Sequence, residues 1–205
     1  MNAPIKLFSF VPFDRGARFR WTAYELGLSV DETALNAQAG EHKGEAYRKI
    51  NPFGLVPSCT RDGRNQFESA AMCLSLAEST PGSTLVPAIG SPQRDEFLTW
   101  LFFAASTLDN WCERVMVSKR FQPNEELHAL SRERLAPLLA VLETQLGDKT
   151  YLLGDQFSLA DILLGHDLVI VKFAECADLI PPKLAAYRDR LAARPAAQRA
   201  GLFKV

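Results

Sequence analysis

This chain lacks several features that would each point to a function. Its charge leans neither way, with 23 basic side chains against 24 acidic ones and a formal net charge of −1. With no basic excess there is no electrostatic hold on nucleic acid or on anionic lipid, so neither is expected as a partner. No stretch approaches the roughly 18 uninterrupted apolar residues of a membrane span. The opening, Met1 to Phe10, has no long apolar run and does not read as a secretory signal. Cysteine is scarce and dispersed: Cys59, Cys73, Cys112 and Cys176 form no C-x-x-C pair. That argues against a dithiol redox centre and against a zinc knuckle. Reduced thiols in a cytoplasmic protein are the simplest account. Histidine is rarer still, with three in the chain; His128 and His166 show no partner pattern and read as structural, so no metal site is expected.

What is present is an ordinary globular balance, 47% apolar and 23% charged, with material enough for a core. At 205 residues the chain suits a small domain followed by a larger one, with a single compact α/β unit as the alternative. Ile5 to Phe10 reads as a buried strand broken at Pro12. A helix follows from about Arg15 to Leu26, with Asp14 as its N-cap and Gly27 as its terminator. Asp62-Gly63 between two β-prone runs is a hairpin signal, because the turn needs positive φ that these residues tolerate. A second helix starts near Ser69. This is a small α/β sheet domain over residues 1–80.

Pro81-Gly82, Pro87, Gly90 and Pro92 mark a linker over residues 81–92. Beyond it, residues 93–205 read as all-helical. Ser91-Pro92 with Asp95 and Glu96 supplies a helix start, and that helix is expected to reach Ser118. Another spans about Asn124 to Leu146, with Pro137 expected to kink it. The clearest local signal is Ser158-Leu159-Ala160-Asp161, a capping box with Phe157 and Ile162 placed as a hydrophobic staple.

Three ordered segments carry a family resemblance: Gly40-Glu41-His42-Lys43 with Asn51-Pro52-Phe53-Gly54-Leu55-Val56-Pro57; Phe67-Glu68-Ser69; and Leu153-Gly154-Asp155-Gln156-Phe157-Ser158-Leu159-Ala160-Asp161. With Arg18-Phe19-Arg20-Trp21 and Glu25-Leu26-Gly27 they span essentially the whole chain, and they resemble the glutathione transferases, of bacterial type and no assigned class. The resemblance implies a thioredoxin-like N-terminal domain and an all-α C-terminal domain. It also implies glutathione as co-substrate, a small, largely apolar electrophile as the other reactant, and a homodimer.

Carried over residue by residue, Pro57 follows a cis bond and the backbone of Val56 pairs with the extended tripeptide as an added strand would. The alternative makes Pro57 a turn or edge-strand proline. Ser69, at a helix start, suits the γ-glutamyl carboxylate and Glu68 its ammonium; without a ligand they are an N-cap and a surface acid. His42 matches a histidine that some classes use near the glycyl end, with Lys43 as a second candidate, and otherwise faces solvent.

The catalytic slot is irregular. Ser9-Phe10-Val11-Pro12-Phe13-Asp14-Arg15-Gly16 puts the family's serine slot on Phe13 or Asp14, its cysteine slot near Arg15 and its tyrosine slot near Ser9. Asp14 would repel a thiolate. Arg15, with the helix N-terminus, is the first candidate to stabilise one, and Ser9, which otherwise is an inert core serine, the second. The resemblance places the acceptor pocket between the domains, where Phe10, Phe13, Phe102, Phe103 and Trp111 are candidate lining; phenylalanines at helical spacing are usually core, so they assign no substrate. Two other readings compete: a non-catalytic glutathione-binding or protein-interaction module, and disulfide exchange through Cys59.

Overall fold

The computed structural model describes residues 4–10 and 13–204; Val11 and Pro12, where the first strand is expected to break, lie outside the described residues. The chain divides into two compact units: the described residues up to Ser83 together with Pro195–Lys204, and Thr84–Arg194.

The first unit is built on a four-stranded sheet in the order β2-β1-β3-β4. Strand β1 (Ile5–Ser9) buries Ile5, Leu7 and Ser9 on one face, as alternation requires. It runs parallel to β2 (Val30–Ala34) and antiparallel to β3 (Ser58–Arg61), which pairs with β4 (Arg64–Phe67). The β3–β4 turn has φ 51° at Asp62 and 74° at Gly63, the left-handed pair that the Asp-Gly signal predicts. Strand β2 is not foreseen from the sequence. Val-Asp-Glu-Thr-Ala is acidic and nowhere fully buried, so its place comes from backbone pairing at a sheet edge rather than from an apolar pattern.

Helix α1 (Gly16–Glu25) is buried from Gly16 through Ala23. A 3-10 turn (Glu41–Lys43) and a short helix α2 (Glu45–Arg48) follow β2, and α3 (Ser69–Ser79) follows β4. A late segment of the chain returns to this unit. Helix α9 (Pro195–Ala200) packs on α1, where the Arg20 guanidinium Nε donates to Ala200 O at 3.0 Å. The Trp21 ring meets Phe203 edge-on at 5.5 Å, and Arg199 lies 4.0 Å over the Tyr24 ring.

The second unit is helical. Helix α4 begins at Arg94, later than the Ser91-Pro92 signal suggests, and Ser91 Oγ is buried without a hydrogen bond. Asp95 and Glu96 still fall in its first turn, favourably placed against the helix dipole. The helix α4 (Arg94–Phe102) continues through a π-helical stretch (Phe103–Leu108), α5 (Asp109–Met116) and a second π-helical stretch (Val117–Phe121). Helix α6 (Glu125–Leu146) is capped by Asn124, whose side chain accepts from Leu127 N–H, and runs through Pro137. Helix α7 (Leu159–Phe173) is buried on every side from Leu159 to Val171, as an apolar central helix must be. Helix α8 (Pro182–Ala192) packs against α6 and α7.

The expected capping box forms at the start of α7 and does more than cap. Asp161 Oδ2 accepts from Ser158 N–H and Oγ–H, both at 2.8 Å. Its Oδ1 accepts from Leu152 N–H at 2.9 Å and Tyr187 O–H at 2.6 Å, so one carboxylate ties α7 to the preceding loop and to α8. Among the described residues no helix is long and apolar enough to cross a membrane.

Candidate functional site

The register of the sheet brings distant pieces of sequence to one end. Phe8 pairs with Ser58, and Ser58 with Phe67. The exit of β1, the entry to β3 and the exit of β4 into α3 therefore lie side by side. The start of α1 joins them through Gly16: a Cβ built there would sit 2.9 Å from Ser9 Cβ, 2.8 Å from Asp14 Oδ1 and 3.6 Å from Pro57 Cβ. No larger residue fits without pushing α1 off the sheet.

At the entry to β3 the Val56–Pro57 peptide is cis. The backbone just before it is held by two side chains: Tyr47 Oη and Asn51 Nδ2 each donate to Leu55 O at 2.7 Å. Tyr47 Oη also lies 2.9 Å from Ser58 Oγ. Burial raises the Tyr47 phenol above its ordinary range, so it stays a neutral donor. Val56 itself pairs with no other described residue through its backbone, leaving an N–H and a C=O open for an extended ligand. Tyr47 and Asn51 stand one helical turn apart, a pairing that sequence reasoning missed because neither carries a motif of its own.

At the start of α3, Glu68 is exposed and adopts φ 69°, ψ 101°. That region is unusual for a non-glycine residue and occurs mostly where the surroundings impose it. The helix has no side-chain cap and no acid in its first turn, so its N-terminal amides retain their positive end. Ser69 is buried there, and its hydroxyl accepts from Arg18 NH1 at 3.4 Å.

The start of α1 is less open. Asp14 takes Gly16 N–H at 2.7 Å on one oxygen and Phe10 N–H at 2.5 Å on the other, but it is not the N-cap expected from the sequence: that position falls one residue later and has no side-chain cap. The same carboxylate offsets part of the helix's positive end. Arg15 occupies the N-cap position, half-buried, and brings a full positive charge to that end. Ser9 is buried, and its hydroxyl donates to Glu32 Oε1 at 2.6 Å; the same oxygen is bridged by Arg20. A thiolate would have to compete with Glu32 for that hydrogen.

His42 and Lys43 pack against the loop leading to Val56. The His42 ring stands edge-on to Phe10 at 4.9 Å, with Nδ1 buried and without a hydrogen bond. Lys43 Nζ donates to Gly54 O at 3.0 Å. Gly54 has φ 60°, and a Cβ there would meet His42 O at 2.7 Å, so only glycine lets the two loops approach this closely.

Elsewhere, His128 and His166 sit in the helical unit. His128 Nδ1 lies 3.3 Å from Val115 O and Nε2 3.9 Å from Cys176 Sγ. Asp109, His166 and Asp167 present ligand atoms within 4.8 Å of one another in the core. Each of the three has further partners, His166 Nδ1 lies 3.6 Å from Asp167 Oδ1, and neither that nitrogen nor Asp167 Oδ2 has a hydrogen bond.

A sheet with a cis-proline strand entry and an uncapped helix beside it, joined in sequence to a helical unit, defines a known class. The family model for the glutathione S-transferase N-terminal domain matches residues 3–78, and that for the glutathione S-transferase C-terminal domain matches residues 125–190. The chain belongs to the glutathione S-transferase family, and its fold is the one the resemblance implies. It is similar to glutathione S-transferase F9 of Arabidopsis thaliana, 31% identical over 186 residues that cover 85% of this chain and 86% of that protein. That relative is from a plant and gives no support to a bacterial-type class. Glutathione transferase F7 from Populus trichocarpa superposes with a TM-score of 0.88 at 22% identity, covering 96% of this chain and 97% of that one. A Phanerochaete chrysosporium glutathione transferase in complex with oxidized glutathione gives a TM-score of 0.85 at 22% identity, over 96% and 94% of the two chains.

Proposed function

We propose that this protein is a glutathione transferase that binds glutathione along the first unit, favours its thiolate and delivers it to a small, largely apolar electrophile. The open backbone of Val56 carries the reading. It stands at the same end of the sheet as Ser69 and the uncapped start of α3, an arrangement suited to an extended peptide with a carboxylate at one end. Val56 takes the cysteinyl backbone, Ser69 and the α3 amides the γ-glutamyl carboxylate, and exposed Glu68 the ammonium. His42, with Lys43 beside it, serves the glycyl end. In the reaction the thiol proton leaves to solvent. The sulfur lone pair then forms the new S–C bond, and the displaced group departs with its bonding pair.

Thiolate stabilisation is assigned to Arg15 with the α1 N-terminus, in preference to Ser9, whose hydrogen is directed at Glu32. Lowering the thiol pKa by about 2 units takes roughly 2.7 kcal/mol. The test is calorimetric titration of glutathione together with the ultraviolet thiolate signal of the bound ligand. Thiolate at neutral pH is expected in the parent and in Ser9→Ala, and is lost in Arg15→Met. Binding without thiolate, and without activity on an aryl halide, would instead make the chain a glutathione-binding module. The name shared by its relatives favours the enzyme.

We also place the protein in the cytoplasm as a homodimer. All four cysteines are buried and outside any disulfide, which suits a reducing compartment. Phe53 and Leu55, 65% and 56% exposed on the first unit, are the apolar side chains a partner subunit would cover. Sedimentation equilibrium at twice the chain mass is the expected result.

A further inference from the structure

Beneath Ser69 lies a charge to which the sequence assigns no role. Arg18 is 1% exposed on α1, and Ser69 is 6% exposed on α3. Arg18 NH1 approaches Ser69 Oγ at 3.4 Å, and the backbone of Arg18 is tied into its helix by Thr22 Oγ, which donates to Arg18 O at 2.7 Å. A guanidinium has only donors, so Ser69 can face it only as an acceptor. The single hydrogen of Ser69 must then point away from Arg18, and it meets no acceptor among the described residues. A nine-tenths-buried hydroxyl with an unspent hydrogen, at the uncapped positive end of an 11-residue helix, is prepared for an anion.

We propose that Arg18 is a positioning residue for glutathione: through Ser69 it orients and polarises the hydroxyl that receives the γ-glutamyl carboxylate. This rests on the reading of Ser69 as the contact to that carboxylate. Arg18 does not touch the ligand in this scheme. It fixes which way the hydroxyl points, strengthens it as a donor and adds a permanent positive charge behind it, in a buried setting where charge is weakly screened.

The test compares two peptides: glutathione, and γ-aminobutyryl-cysteinyl-glycine, which lacks only that carboxylate. In Arg18→Met, KM for glutathione is expected to rise roughly tenfold while kcat falls much less, and KM for the shorter peptide to change by less than about twofold. Arg18→Lys, which keeps the charge without the fork, should fall between. In a Ser69→Ala background the Arg18→Met factor should shrink below about threefold, because the two residues act as one unit.

An equal penalty on both peptides, or full additivity with Ser69→Ala, would overturn the proposal and leave Arg18 a packing residue. Should Arg18→Met fail to fold, Arg18→Lys and the side-chain nitrogen resonances of Arg18 in the parent decide. Glutathione must shift those resonances more than the shorter peptide does, and equal shifts overturn the proposal. The two readings fail separately. If Ser69→Ala binds glutathione as the parent does, the carboxylate contact itself is wrong and Arg18 falls with it. If Ser69→Ala weakens glutathione alone while Arg18→Met spares it, only the role of Arg18 is wrong.

Discussion

At Cys73, in the middle of α3, burial pushes the thiol up to about 12, against the opposing influence of Thr22 and the Arg18 guanidinium. At Cys59, on β3, burial raises it to about 11, against Arg61. Both thiols therefore stay protonated through the neutral range, while in an unfolded chain they would ionise near 8.5. Between those limits the folded state binds more protons than the unfolded one, so stability must fall as pH rises above about 8.5. The folded protein is expected to leave both thiols unmodified by a disulfide reagent at pH 8, with full transferase activity, and to react at both once denaturant is added. Rapid native labelling of Cys59 accompanied by inactivation would revive disulfide exchange. At this scale the sequence was a fair guide to identity and a poor one to circumstance. Ser9 is legible as a hydroxyl near the right slot, but its acceptor Glu32 is 23 residues away on a strand that no pattern announces.

At the scale of single elements, local chemistry governs more of the outcome. The Asp-Gly turn, the helix start at Ser69 and the Ser158–Asp161 box all form where the sequence puts them, because each depends on neighbours a few residues apart. The α4 start shows the limit: Ser91 and Pro92 carry the right residue types, yet the first helical turn settles later, at Arg94. Asp161 shows an element acting beyond itself. Burial raises its carboxyl, the four donors around it oppose that, and with both oxygens filled by donors the ionised form is the one the site fits. Asp161→Ala strands those donors in the core and is expected to cost about 3–5 kcal/mol, whereas Tyr187→Phe removes one bond and costs about 1 kcal/mol. Urea unfolding of the two variants measures the difference. Equal, small losses would mean that the carboxylate contributes only as an ordinary cap.

The whole molecule adds what neither residues nor elements supply. From sequence, everything after residue 93 reads as one helical domain. Pro195–Lys204 nevertheless belongs with the first unit, burying Ala197, Ala200 and Leu202 there, giving Arg20 its backbone acceptor and setting Phe203 edge-on to Trp21. Deleting residues 195–205 exposes that surface and leaves the buried Arg20 short of an acceptor, for a loss of about 3–5 kcal/mol. On a chain of this size that corresponds to a fall in Tm of roughly 10 °C, readable by circular dichroism. A truncated protein that melts with the parent would show the segment to be ornamental to stability.

By itself the sequence determined the order of the elements that have strong local signals, the Val56-Pro57 and Glu68-Ser69 pairs, the capping box and, through their ordered set, the family. These are decided by backbone chemistry acting over a few residues: φ tolerance at Asp-Gly, unsatisfied amides at a helix start, the cis option open to proline. Only the tertiary structure decided that β2 closes the sheet edge, that Tyr47 and Asn51 hold the carbonyl before Val56, that the last helix returns to the first unit, and that Arg18 lies under Ser69. Each of those contacts joins groups through backbone pairing or the packing of a core. They form because a buried donor, charge or ring must find whichever partner the fold brings within reach, and that partner is set by shape rather than by position along the chain.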